Sequence, residues 1–135
     1  MELLHKELTD RILKVYYDVY NELGYGFLEK VYQNSMYFEL LSRGFKVEAN
    51  KQIKVYYKEM EVGLYYADLL VENTIILELK AADTIIDEFE NQLLNYLRAT
   101  NIEVGLLLNF GVKPQFKRKV FDNSRKNQRL PKVSV

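Results

Sequence analysis

The chain has 135 residues, of which 48% are hydrophobic and 28% charged, with equal numbers of basic and acidic side chains, one histidine and no cysteine. This length suits one domain with its own core, and the composition is that of a globular protein rather than a disordered one. Without cysteine and with His5 as the lone histidine, disulfides, thiolate metal sites, cysteine nucleophiles and multi-histidine centres are excluded, so hydrolytic chemistry has to rest on carboxylates, lysine and a hard cation.

In chain order, Leu8, Ile12, Val15, Val19 and Leu23 recur at helical steps and predict a first helix, ended by Gly24-Tyr25-Gly26. A second helix is expected from near Phe27 to about Arg43, with Leu28, Val31, Phe38 and Leu41 among its apolar positions and Gly44 closing it. From Lys46 the pattern turns to alternation and predicts a three-stranded meander through Ile53–Tyr57, Val62–Val71 and Ile75–Lys80, with turns at residues 58–61 and 72–74. Ile86, Phe89, Leu93 and Leu97 predict a third helix, and Val104–Phe110, apolar on both faces, a strand inside the sheet.

The expected architecture is therefore α/β, a mixed central sheet flanked by helices, formed by residues 1–111. Residues 112–135 are expected to be a basic C-terminal tail or a docked helix. They sum to +7 and residues 1–111 to −7, which is compatible with a polyanion contact and equally with a solvated tail folded on an acidic body. No apolar run approaches the roughly 20 residues of a membrane span, and Met1–His5 lacks the regions of a signal peptide, so a cytoplasmic protein without a membrane partner is expected.

Alternation places Asp68 on one face with Leu64, Tyr66 and Leu70, and Glu78 and Lys80 on one face with Ile76. Carboxylates in such apolar company call for a partner or a cation. If Glu72-Asn73-Thr74 is a three-residue loop, Asp68 opposes Glu78 with Cβ atoms about 5 Å apart, a separation suited to a hard divalent ion. Lys80, two residues on, is placed either to orient an attacking water or simply to pair with one of the acids.

Asp68 followed by Glu78-Leu79-Lys80 resembles the PD-(D/E)XK nuclease signature, with Ala67 where the signature has proline. The element order resembles that superfamily's restriction-endonuclease-like αβββαβ core, and Gly26-Phe27-Leu28-Glu29-Lys30-Val31-Tyr32 is similar to the pattern that names the GxxExxY family within it. The resemblance covers roughly His5 to Gly111. It implies Asp68 and Glu78 as ligands of Mg²⁺ or Mn²⁺, Lys80 as the catalytic lysine and Glu29 as a further acidic ligand and catalytic residue. A glutamate near a helix N-terminus also has a plain account in the helix dipole. Tyr32 reads as core or as a hydrogen-bond partner of the carboxylate. Gln92 and Tyr96, four apart on the third helix, match the QxxxY element of RecB-like members and are expected to support the site.

The function implied is metal-dependent phosphodiester hydrolysis of nucleic acid, DNA ahead of RNA, with Lys113, Lys117, Arg118 and Lys119 as phosphate contacts. The alternative is a catalytically inactive nucleic-acid-binding or protein-interaction module on the same fold, for which the acidic body argues. A homodimer or a partner protein supplying the nucleic-acid surface is compatible with either, with Tyr16, Tyr17, Tyr20 and Tyr25 as candidate contacts.

Overall fold

Apolar side chains at three- and four-residue steps fold Lys6–Leu23 into α1, which buries Ile12, Val15, Tyr16 and Val19. The computed structural model describes residues 3–126. Gly24 and Gly26 take positive φ, 68° and 108°, conformations that a Cβ disfavours, and turn the chain into α2 at Glu29–Ser42. The inward stripe of α2 is Tyr32, Gln33, Met36 and Leu40, whereas the expected Leu28, Val31, Phe38 and Leu41 lie on its exposed side. Apolar residues surround this helix, so periodicity does not select a face; the stacking of Tyr32 on Phe110, centroids 4.2 Å apart, is one contact that holds the face chosen.

The meander forms as expected and is longer: β1 spans Val47–Tyr57, β2 Met60–Val71 and β3 Ile75–Lys80. Lys58 and Glu59 make a two-residue hairpin turn, and Glu72-Asn73-Thr74 is the three-residue loop, with Glu72 and Asn73 left-handed at φ 54° and 52°. After α3 at Asp87–Ala99, β4 at Val104–Phe110 runs parallel to β3 and is buried along its whole length. The sheet order is β1-β2-β3-β4-β5.

The fifth strand corrects the expectation of a tail or helix after Gly111: Pro114–Val120 is β5, paired antiparallel to β4 from Phe110↔Pro114 to Val104↔Val120. The sheet thus passes the boundary placed at residue 111. Proline and lysines suit the open side of an edge strand, and this is why it reads as a tail. A short 3-10 turn, Asn123–Arg125, follows; the rest of the expected tail, residues 127–135, lies outside the described residues.

Two cores result. One packs α1 and α2 on Leu69, Val71, Ile75, Leu77, Leu79 and the even positions of β4. The other packs α3 on Ile53, Ala67, Leu70, Ile76 and Leu107. A Cβ on Gly105 would meet Leu93 Cδ1 at 2.6 Å, so glycine there lets α3 sit close against β4. Ala67 and Leu70 share the α3 side although they differ in parity. Strict alternation is therefore broken beside Asp68. The break lies opposite Asn50, which flanking pairs Ala49↔Leu69 and Lys51↔Ala67 place across from Asp68 and which has φ 53°. The expected common face of Leu64, Tyr66 and Leu70 is consequently lost: Leu64 and Tyr66 are exposed, Leu70 is buried, and Tyr65 instead meets Tyr96 of α3.

Candidate catalytic site

Backbone pairing of β2 with β3 follows the expected register, Val71↔Ile75, Leu70↔Ile76 and Leu69↔Leu77. One step further, where Asp68 would face Glu78, the ladder gives way to side chains. Glu78 Oε2 accepts the Asp68 backbone N–H at 2.7 Å, and Asp68 Oδ2 accepts the Leu79 N–H at 2.8 Å. Each carboxylate thus fills the gap left as the strands part. β3 meanwhile stays paired with β4 through Lys80↔Asn109, so the end of β3 remains fixed.

Glu78 is 2% exposed and Asp68 half-buried. Burial pushes the Glu78 carboxyl up to about 8, with the neighbouring Asp68 charge acting in the same direction. Burial also raises Asp68, against the Leu79 N–H and the positive charges of Lys80 and Lys30. Glu29 stands at the solvent edge at the first position of α2; its carboxyl is raised by desolvation and the Asp68 charge, and lowered by Lys80. These mutual influences bring Glu29, Asp68, Glu78 and Lys80 into one electrostatic neighbourhood.

Lys80 does not form an ion pair with either acid; among the described residues no carboxylate oxygen lies within 4.0 Å of its Nζ. Instead Nζ donates to Gln92 Oε1 at 3.1 Å and sits 4.8 Å from the centre of the Phe89 ring. Gln92 Nε2 in turn donates to the Tyr96 hydroxyl at 2.9 Å. Burial and the Glu78 charge push that hydroxyl up to about 12, so it stays protonated at neutral pH. Gln92 and Tyr96 therefore line the site as a chain leading to the lysine.

Tyr32 is not a partner of a carboxylate. Its hydroxyl donates to Gly24 O at 2.7 Å and accepts the Phe27 N–H at 3.2 Å, closing the loop that delivers Glu29. The geometry favours this because the tyrosine ring lies in the core against Phe110, pointing its oxygen back at the preceding turn.

The four basic residues expected to meet phosphate are not brought together. Lys113 lies in the β4–β5 turn, at the end of β4 that carries Asn109, the register partner of Lys80. Lys117 is exposed on β5 opposite Leu107. Lys119 is paired with Glu90 of α3 at 2.5 Å, and Arg118 donates to the Leu4 carbonyl. Alternation along β5 sends Lys117 and Lys119 to one face and Arg118 to the other.

Two residues of the site, Asn109 and Gln33, escape the sequence reading, and Tyr16, expected as a candidate partner contact, is instead fully buried. Asn109 is fully buried and clamps Ala82, accepting its N–H and donating to its carbonyl, each at 3.0 Å, so that the chain is held just after Lys80. Gly111 permits this approach, since a Cβ there would come 2.7 Å from Ala82 O. Gln33 donates to Asn50 Oδ1 at 3.1 Å and to Asp68 O at 3.4 Å, tying α2 to both strands at the break in the sheet. Tyr16 donates to Asn109 O and accepts the Gln115 N–H at 3.0 Å, securing β4 to β5. An asparagine inside an otherwise apolar strand, and a glutamine four residues after Glu29, are the signals that mark the first two.

The donor set fits a hard divalent cation. Asp68 Oδ1 and Glu78 Oε1 accept no hydrogen bond among the described residues, so each acid has one oxygen anchored to backbone and one left for a ligand. A cation would also offset the burial, and the repulsion by Asp68, that raise Glu78. Among the described residues, no group of three or more acidic or histidine side chains is placed to hold a metal together. No helix of the described chain is long and apolar enough to cross a membrane.

No curated protein and no solved structure matches the chain. The family model of the PD-(D/E)XK nuclease superfamily matches residues 6–119, from α1 into β5, so the strands that carry Asp68, Glu78 and Lys80 lie inside the match. The chain belongs to the PD-(D/E)XK nuclease superfamily.

Proposed function

We propose that the protein is a nuclease that hydrolyses phosphodiester bonds of nucleic acid with Mg²⁺ or Mn²⁺ held by Asp68 and Glu78, and that it is a member of the GxxExxY family. The observation that carries this reading is the buried Glu78 and half-buried Asp68 with one unengaged oxygen each, beside a lysine that neither acid pairs with. When bound, the metal supplies positive charge that acidifies water and offsets charge gathering on the phosphoryl group. Glu29 assists through water from the solvent side. Lys80, held by Gln92, orients the attacking water, whose oxygen bonds to phosphorus as the P–O bond to the leaving sugar breaks, the water giving up a proton to solvent and the departing sugar oxygen taking one from solvent. Gln92 and Tyr96 brace that lysine, and Lys113 and Lys117, neither of them in an ion pair among the described residues, are the phosphate contacts.

Single-stranded and duplex DNA and RNA incubated with the protein in Mg²⁺ or Mn²⁺, beside Glu78→Ala and Lys80→Ala, test the reading. Cleavage by the intact protein and its loss in both variants is expected. Cleavage that survives both substitutions sinks the assigned site. The net −7 of residues 1–111 favours a second reading, a binding module without turnover. Cation binding without cleavage of any of the four substrates would select it.

A further inference from the structure

We infer that the substrate is a single-stranded nucleic acid whose bases stack along the α3-facing side of the β1–β2 ribbon, on Tyr65 beside the catalytic pair and on Tyr57 further out. This deepens the hydrolytic reading and rests on it for the location of the reacting phosphate. β2 pairs with β3 only from Leu69 to Val71, so residues 51–57 and 60–67 pair with each other alone and project past the centre of the sheet as a two-stranded arm.

One face of that arm continues directly from the site. The Tyr65 ring packs against Tyr96, centroids 5.4 Å apart, and Tyr96 leads through Gln92 to Lys80 by the hydrogen bonds already described. Tyr65 nevertheless keeps 39% of its surface exposed. Its cross-strand partner is Ile53; the next pair on that face is Val55↔Gly63, and Tyr57 follows by alternation on β1, about 13 Å beyond Ile53. The extra residue at the register shift lies on β2, so β1 keeps its parity. Tyr57 is 64% exposed, and Lys58 Nζ lies 5.5 Å from its ring centre, where a cation can meet a phosphate next to a stacked base. Two exposed aromatic rings are therefore separated by a low step of glycine and valine.

The chemistry of this face selects the substrate. A ribbon that reads a duplex groove presents donors and acceptors to base edges, but Tyr65, Gly63, Val55 and Tyr57 present rings and aliphatic groups. Duplex DNA carries one charge per roughly 1.7 Å and is held mainly by cations, whereas residues 1–111 are net acidic. Stacking requires unpaired bases and tolerates any sequence, and a cation beside a ring, as Lys58 is beside Tyr57, serves the backbone of such a strand.

Binding of fluorescein-labelled 15-mers of deoxythymidine and of uridine, and of a 15-base-pair duplex, is measured by anisotropy in EDTA with the intact protein, Tyr65→Ala, Tyr65→Phe and Tyr57→Ala. Photocrosslinking to 5-iodouracil oligonucleotides then locates the contact by mass spectrometry. Single strands are expected to bind in preference to duplex, Tyr65→Ala to weaken them about 5- to 100-fold, Tyr65→Phe to retain binding, and crosslinks to fall on Tyr65 or Tyr57. The two single strands distinguish RNA from DNA. If Tyr65→Ala does not fold, the solvent-exposed Tyr57→Ala and the crosslink decide. Equal or tighter duplex binding, unchanged single-strand affinity in the variants, crosslinks elsewhere, or an arm that only associates with a second copy overturns the inference. Because binding is read without metal, absence of cleavage would count against hydrolysis alone, and duplex cleavage indifferent to Tyr65 would count against this inference alone.

Discussion

Asp68 and Glu78 each anchor one carboxylate oxygen on a backbone N–H across the gap between β2 and β3, Glu78 on Asp68 itself and Asp68 on Leu79. The two acids are thereby held in fixed orientations at the place where the strands separate. Burial raises both carboxyls, a cost that a bound cation would offset.

Glu78→Gln is expected to abolish cleavage while stabilising the metal-free fold at neutral and alkaline pH. Since the folded carboxyl titrates near 8, above its unfolded value, its ionisation opposes folding: the contribution is absent below about pH 4.5 and grows as pH rises through 8. Melting curves in EDTA from pH 5 to 9 should show the variant gaining a few degrees on the parent toward high pH. Calorimetry of the parent should show Mg²⁺ or Mn²⁺ binding that tightens over the same range and releases protons. A constant difference in melting temperature would remove this account.

Lys80→Ala should lower the cleavage rate by about 10²- to 10⁴-fold with cation affinity preserved, since the lysine touches neither acid. Gln92→Leu removes the acceptor that holds Nζ and should give a smaller loss, about tenfold, felt in kcat rather than in cation binding. Equal defects in metal binding would show that these residues hold the metal site rather than the water.

Asn109→Leu leaves the Ala82 N–H and carbonyl unpaired next to the site. Each orphaned group costs about 1–3 kcal/mol, so urea unfolding should report a loss in that range or above. Activity should fall further than stability explains, because the segment following Lys80 loses its clamp. An unchanged midpoint would mean that this clamp is dispensable.

Lys113→Ala and Lys117→Ala should each weaken nucleic-acid binding and reduce its salt dependence, by about 0.7 in the logarithmic slope per lost phosphate contact on a single strand. Arg118→Ala and Lys119→Ala should not alter the slope, since those side chains are committed to Leu4 and Glu90. Titrations at several salt concentrations distinguish the two pairs.

Much of the site was legible in the sequence because it depends on local periodicity. A three-residue turn suffices to set the β2–β3 register that leads toward Asp68 and Glu78, and a four-residue spacing suffices to put Gln92 and Tyr96 on one face of α3. What could not be read there is the choice among distant partners. Lys80 had two acids within plausible reach and is held by Gln92, because the strand end turns it toward α3. Tyr32 had a carboxylate three residues away and bonds Gly24 and Phe27, because its ring is drawn into the core by Phe110. β5 was hidden since an edge strand with lysines and a leading proline has the composition of a tail until β4 supplies its hydrogen bonds. The order of the elements through β4 and the β2–β3 register that leads toward Asp68 and Glu78 follow from short-range pattern. That the ladder ends at Leu69↔Leu77 and leaves each acid one free oxygen is a property of the folded sheet, for it requires β3 to follow β4 while β2 stays with β1.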